Sequence, residues 1–236
     1  MEQLLDQVLD DLLLEKGLKK YLLLDYLTLI QEGLSRKRLV GEKTLEGLIL
    51  KQVYDSLFPL SKIEIADGLK IIDLGSGAGI PGLIMAMYKP GCQFTLLEAS
   101  HKKTEFINLV VKKLGIDNVR VVCERSEITA HRPMEREQYD LLVSKAVAEV
   151  AVLAELGLPF LKLGGRALLH KGPKGADEIV AARKALLLCG GKEGQKWQYI
   201  LPTGEKRTII EVNKIEITPD KYPRSPGKPA KKPLGL

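Results

Sequence analysis

Cysteine, histidine and tryptophan are scarce in this chain. Of 236 residues, three are cysteine, three histidine and one tryptophan. Cys92, Cys123 and Cys189 stand far apart and form no Cys-x-x-Cys pair, which argues against a disulfide framework or a zinc site. The same spacing suits a reducing compartment, and a cytoplasmic protein is expected. His101, His131 and His170 are equally scattered, so no metal is expected. No apolar run approaches the ~18 residues of a membrane span, and no membrane role is expected. Residues 1–17 carry five acids and one lysine, the wrong start for a signal peptide.

What is present is an ordinary core with an uneven charge distribution. Apolar residues make up 45% and charged residues 28%, as in globular domains. The net charge of +6 is modest, so its placement carries the information. Arg36, Lys37 and Arg38 form one basic cluster. Residues 221–236 hold five basic residues, no acid and four prolines. A basic end on an ordinary core suits an anionic partner, although solvated surface charge has the same composition. Proline fixes φ and removes donors, so this end reads as an extended tail that packs on the domain or engages a partner.

Apolar periodicity divides the chain. Leu4, Leu5, Val8, Leu9, Leu12 and Leu13 recur at helical spacing until Gly17. A second helix is expected over about 19–32 and a third over about 44–58, ended by Pro59. Residues 1–60 thus read as an N-terminal helical unit. From about 69, β-branched runs alternate with helices. Strands are expected at 70–74, 94–98, 119–122, 141–144 and 166–170, with helices at about 80–88, 101–114, 148–157 and 176–189. Such alternation makes a mostly parallel sheet with right-handed crossovers. The last two strands, 197–201 and 207–212, flank Thr203-Gly204-Glu205 and read as a hairpin. The expectation is an α/β core over 61–215, with a seven-stranded, mostly parallel sheet closed by an antiparallel hairpin. Residues 216–236 form the basic, proline-rich tail.

The stretch IIDLGSGAGIPG, residues 71–82, joins the first strand to a helix. Its glycines let a ligand touch the backbone, outside the carboxyl ends of the strands. Gly77, Gly79 and Gly82 match the dinucleotide pattern, with Glu98 about 20 residues on. Two features favour another ligand. Asp73 stands two residues before the first glycine, where a carboxylate suits a cationic group. The closing antiparallel hairpin marks S-adenosylmethionine-dependent methyltransferases, whereas dinucleotide domains end in a parallel strand. S-adenosylmethionine, with its ammonium and sulfonium, is therefore the expected cofactor and a nicotinamide cofactor the alternative. The glycine loop (Gly75, Gly77, Gly79, Ile80) would approach it. Glu98 would accept the ribose hydroxyls, followed by Ala99 and Ser100, with Ser100 also the N-cap of the next helix. Ser126 and Glu127 would border the adenine; a helix-start carboxylate is the other role open to Glu127.

The acceptor is narrowed by what is missing. There is no Asp/Asn-Pro-Pro-aromatic run to polarise an exocyclic amine and no Pro-Cys pair to attack a pyrimidine. Cys123 reads as core, and no His–Asp or His–Glu couple marks a general base. Lys145 instead ends the fourth strand. A cation suits an acceptor that needs no deprotonation, such as guanine N7, whose lone pair is free. Lys145 would hold the substrate or a cofactor carboxylate. Lys171 and Lys174 lie after the fifth strand on the same rim and could meet phosphates.

Several segments together resemble the bacterial small-subunit rRNA guanine-N7 methyltransferase G family, formerly glucose-inhibited division protein B. They are residues 73–82 (DLGSGAGIPG), 124–127 (ERSE), 144–147 (SKAV), 170–172 (HKG), 55–57 (DSL) and 222–234 (YPRSPGKPAKKPL). The resemblance covers nearly the whole chain. It implies a Rossmann-like class I fold and a cytoplasmic enzyme that methylates N7 of one guanine in a decoding-centre hairpin of 16S rRNA. Cofactor contacts are implied at Gly75, Ile80, Glu98, Ala99, Ser100, Ser126, Glu127 and Lys145. The chain departs from the family where Lys145 replaces the usual Arg, where Arg38-Leu39-Val40 replaces Asn-Leu-Thr, and at Gln52 in place of His. An alignment mechanism is expected, with Lys145 the catalytic candidate and the guanine turned out of its stack. Arg36, Lys37, Arg38, Lys171, Lys174, Arg224, Lys228, Lys231 and Lys232 would hold the RNA backbone. A monomer is expected, acting on 16S rRNA or a small ribosomal subunit particle. Two other readings remain open: a small-molecule methyltransferase, and a non-catalytic RNA-binding assembly factor.

Overall fold

A computed structural model describes residues 1–34, 40–42 and 44–235. Arg36, Lys37 and Arg38 lie outside the described residues. Seven strands form one sheet in the order β3-β2-β1-β4-β5-β7-β6. They are β1 (Lys70–Leu74), β2 (Gln93–Glu98), β3 (Val119–Cys123), β4 (Tyr139–Lys145), β5 (Leu161–Lys171), β6 (Gly191–Ile200) and β7 (Lys206–Lys214). The first five run parallel, and β7 pairs antiparallel with both β5 and β6. This is the expected sheet, with every strand but β1 longer than its apolar run.

The parallel strands are buried on both faces, so they read as unbroken apolar runs rather than alternations. β1 and β2 each expose only their first residue. β3 is the exception. It is the edge strand, its residues are half-buried or exposed, and Cys123 is exposed rather than in the core. The sequence pattern missed this because β-branched residues suit an edge as well as a centre.

Two helices, α1 (Glu2–Asp11) and α2 (Gly17–Leu34), open the chain. Leu5, Leu9, Leu23, Leu27 and Ile30 are almost fully buried, each worth roughly 1.5–3 kcal/mol of apolar burial. They belong to the same apolar cluster as Ile71, Leu83, Phe94 and Leu96, so the N-terminal helices share the core of the sheet's near face. The third helix departs from expectation. It starts as α3 (Leu45–Gly47), widens to π-turns over Leu48–Val53 and narrows again as α4 (Tyr54–Leu57). Pro59 does not end it but opens a further 3₁₀ turn, Phe58–Ser61, where a missing N–H is harmless.

Crossovers are made by α5 (Gly82–Tyr88), α6 (His101–Leu114), α7 (Ser126–Thr129) and α8 (Val150–Gly157). α6 stops as its sequence dictates, with Lys112 and Lys113 in the last turn and a left-handed Gly115 after it. Ser100 takes the N-cap position of α6, but its side chain makes no capping hydrogen bond. The single helix expected over 176–189 is two, α9 (Gly175–Ala181) and α10 (Arg183–Leu188), broken at buried Ala182. The tail is not merely extended. It packs back on the domain and includes a turn of helix, α11 (Lys228–Lys231), with Tyr222 and Leu234 in the far-side core.

Candidate active site

Register brings the chemistry to one rim. Leu74 pairs with Leu97, Glu98 with Cys123, and Lys145 with His170, so the carboxyl ends of β1 to β5 line up. The glycine loop leaves β1 here. Gly75 has φ +74°, and its N–H donates to Leu97 O at 2.8 Å, which turns the chain away from the sheet. Gly82 is needed for close approach. A Cβ there would meet Asp73 Cβ at 2.6 Å and Asp73 Oδ2 at 2.7 Å. That space lets the Gly82 N–H donate to Asp73 Oδ2 at 2.8 Å and seats α5 on β1. From the other side, the Tyr26 hydroxyl of α2 donates to Ala78 O at 3.0 Å. The N-terminal helices thus hold the loop in place.

Asp73 is fully buried beneath the loop. Burial raises its pKa to about 7, against the Gly82 hydrogen bond that lowers it. Its Oδ1 has no partner among the described residues, so a buried oxygen remains for a donor or cation. Glu98 is also buried, and both its oxygens accept backbone bonds, from Gly77 at 2.9 Å and Ser100 at 2.9 Å. A carboxylate has about four lone-pair sites, so two remain for hydroxyls.

A cavity of about 360 Å³ opens beside these groups. Of the residues expected to contact the cofactor, Gly75, Glu98, Ala99, Ser126 and Glu127 line it. Asp73, Gly77, Gly79, Ile80, Ser100 and Lys145 are not in its wall. Val147, Val152 and Leu156 supply an apolar side suited to a nucleobase face. Sequence reasoning missed these, and it missed Gly227 and Ala230 of the tail, which also line the cavity. The Ser126 hydroxyl donates to Leu156 O at 2.7 Å, which ties α7 to α8. Glu127 lies in the first turn of α7 and accepts from Gly227 N at 2.8 Å.

Lys145 lies beyond this cavity in a second cluster. Its Nζ stands 2.7 Å from Asp55 Oδ2, an ion pair that uses one ammonium proton and leaves others for a further acceptor. The Tyr199 hydroxyl donates to Asp55 Oδ1, and His170 Nδ1 lies 3.5 Å from the same oxygen. Tyr199 also stacks on Phe58 with ring centroids 3.6 Å apart. Burial alone would push the Asp55 carboxyl up, but Lys145 and His170 more than reverse it and hold it well below the carboxylate range. Burial draws the Lys145 ammonium down despite Asp55. No His–Asp couple is expected as a general base, and the His–Asp approach at this rim involves residues that no motif joins. Asp55 and His170 do meet, but 115 residues apart in sequence, where no spacing rule reaches. Their geometry is not that of a catalytic couple, because neither His170 ring nitrogen has a hydrogen-bond partner among the described residues.

Two of the expected RNA contacts are engaged inside the fold. Lys171 is buried, donating to Ala148 O and pairing with Glu178 at 2.8 Å. Arg224 clamps the buried Glu155. Lys174, Lys228, Lys231 and Lys232 all stand exposed on the outer surface.

The glycine loop, the buried carboxylate that ends β2 and the sheet order with its antiparallel β7 define an S-adenosylmethionine-dependent methyltransferase of class I, and S-adenosylmethionine is the cofactor. Solved structures agree on this fold. TYW2 of M. jannaschii superposes with a TM-score of 0.56 at 12% identity, covering 77% of this chain and 80% of that one. A predicted O-methyltransferase, Atu636 of Agrobacterium tumefaciens, gives 0.52 at 19% identity, covering 69% and 79%. The sequence is more specific. The profile of GidB, rRNA small subunit methyltransferase G, matches residues 19–200. The ribosomal RNA small subunit methyltransferase G of Deinococcus deserti is 39% identical, over 88% of this chain and 86% of the relative. That of Moorella thermoacetica is also 39% identical, over 89% and 88%. The chain belongs to the rRNA small subunit methyltransferase G family.

Proposed function

We propose that this enzyme methylates N7 of a guanine in 16S rRNA, in the decoding-centre hairpin that the family resemblance implies. The observation that carries the choice of N7 is the state of the acceptor end. Its carboxylate, Asp55, is held ionised by Lys145, Tyr199 and His170, and a carboxylate with so low a pKa is a poor base. An acceptor that must lose a proton is badly served there. Guanine N7 has none to lose, and its free lone pair would accept a methyl directly.

The bound cofactor supplies an electrophilic methyl on a sulfonium. Glu98 would hold the ribose, Ser126 and Glu127 the adenine end, and the glycine loop with Asp73 the cationic end. Lys145 would meet an acceptor oxygen of the guanine, and alignment would supply the rate. Lys174 and the tail lysines would lie along the phosphates. We further propose a cytoplasmic monomer, to be checked by light scattering on a sizing column, in which residues 1–60, 61–215 and 216–236 act as N-terminal unit, catalytic core and tail.

The test is incubation of the enzyme with methyl-labelled cofactor and either naked 16S rRNA or small-subunit particles, followed by mass mapping. One labelled guanine, cleavable by borohydride and aniline as an N7-methylated base is, is the expected result. Label on a ribose, an exocyclic amine or another base would overturn the proposal.

A further inference from the structure

The tail was the segment best suited by charge to reach out for RNA, yet it is fastened down. Arg136 donates from Nη1 to Tyr222 O at 3.0 Å and from Nη2 to Thr218 O at 2.6 Å. His131 Nε2 lies 2.8 Å from Pro223 O. Arg224 grips Glu155 three times: from its backbone N–H at 2.8 Å, from Nε at 2.7 Å and from Nη2 at 2.6 Å. Glu155 is fully buried in α8, so the fork holds a charge that would otherwise be stranded. The same Nη2 also donates to Lys232 O at 2.7 Å, which closes residues 224–232 into a loop. Within that loop, Gly227 donates to Glu127 Oε1 at 2.8 Å, and Gly227 and Ala230 line the cavity that also contains Glu98 and Gly75.

We propose that the C-terminal segment 222–234 is the outer wall of the cofactor cavity and positions Glu127 for the cofactor, rather than serving first as an RNA arm. The proposal rests on the reading of this cavity as the cofactor site. Anchors stand on both flanks of the wall, Tyr222 and Arg224 before it and Leu234 after it, both apolar ones in the far-side core. Proline stiffens such a wall, and Pro229 sits buried in the first turn of α11. Gly227 precedes it at φ +79°, a conformation costly for any other residue.

Calorimetry with S-adenosylmethionine and S-adenosylhomocysteine, without RNA, tests this on the full chain and three variants. Deletion of residues 227–236 should weaken both ligands at least about 10-fold, the loss of roughly one charge-assisted hydrogen bond plus its apolar cover. Gly227→Ala adds a Cβ into open space, so it acts only through its backbone strain; a loss of about 3-fold or more is expected. It decides the matter if the deletion does not melt cooperatively. Lys228→Ala/Lys231→Ala/Lys232→Ala together should keep cofactor affinity within about 2-fold while weakening rRNA binding. A folded deletion or Gly227→Ala variant that binds like the intact chain overturns the proposal. So does a triple lysine variant that loses cofactor affinity, since charge and not the wall would then be at work. An intact chain that binds neither ligand overturns the cavity assignment itself, a failure visible before any variant is made.

Discussion

The two ends of the rim are built in opposite ways. At the glycine-loop end the groups are backbone N–H donors and carboxylates from neighbouring turns. Gly77 and Ser100 share Glu98, and Gly82 holds Asp73. At the Asp55 end, one carboxylate gathers side chains from β4, β5 and β6 onto a helix of the N-terminal region. The first arrangement is local and shaped by glycine. The second exists only once the N-terminal helices have docked. The difference implies that the glycine-loop end tolerates the loss of a side chain better than the Asp55 end does.

The largest effect should therefore come from Asp55. Asp55→Ala leaves the largely buried Lys145 without its counter-charge and Tyr199 without its acceptor. Removing one partner of a buried pair costs ~3–5 kcal/mol, and urea denaturation should show a loss of that size together with loss of methyl transfer. The double variant Asp55→Leu/Lys145→Met removes both charges and should recover much of the stability without the activity. If Asp55→Ala costs less than ~1 kcal/mol, far below that range, the ion pair does not join the two regions. The sign with pH follows from the depressed carboxyl. Its stabilisation is complete above the ordinary carboxylate pKa and falls away as pH drops toward the lower folded value, so acid should weaken the wild type more than the double variant.

The same contrast explains what could be read in advance. The sheet, its closing hairpin, the glycine loop and Glu98 are spelled by periodicity and short spacing, because each depends on groups within one or two turns. Asp55, His170 and Tyr199 carry no such signature. They are far apart in sequence, and the packing of Tyr54 and Phe58 on Tyr199 helps to bring them together. The π-turns over Leu48–Val53 escaped notice for a related reason, since an apolar helical stripe does not reveal how wide its turns are. Charge was legible as composition but not as use. Lys171 and Arg224 looked like RNA contacts until their partners Glu178 and Glu155 were placed beside them.

A smaller effect, of opposite sign with pH, is expected from Asp73. Its folded pKa, about 7, lies above the ordinary value of 3.8. Between those values the folded chain holds a proton that the unfolded chain has released, so stability falls as pH rises from about 4 to 7. Asp73→Asn should flatten that slope, measured as urea midpoints at about pH 5 and about pH 8. Its amide oxygen can still accept from Gly82. A slope that persists in Asp73→Asn would assign it to another group.

The smallest effect separates free cations from engaged ones. Lys174 is exposed, whereas Lys171 is spent on Ala148 O and Glu178. Each phosphate deprived of its cation lowers the slope of log affinity against log salt by roughly 0.7–0.9. Lys174→Ala should therefore reduce the salt slope of rRNA binding by the equivalent of about one phosphate while leaving stability within ~0.5 kcal/mol. Lys171→Ala should do the reverse, leaving the slope alone and costing stability, because it strands Ala148 O and Glu178. If both variants change the slope equally, the buried lysine moves out to the RNA on binding. The rim would then be rearranged by its substrate rather than preformed for it.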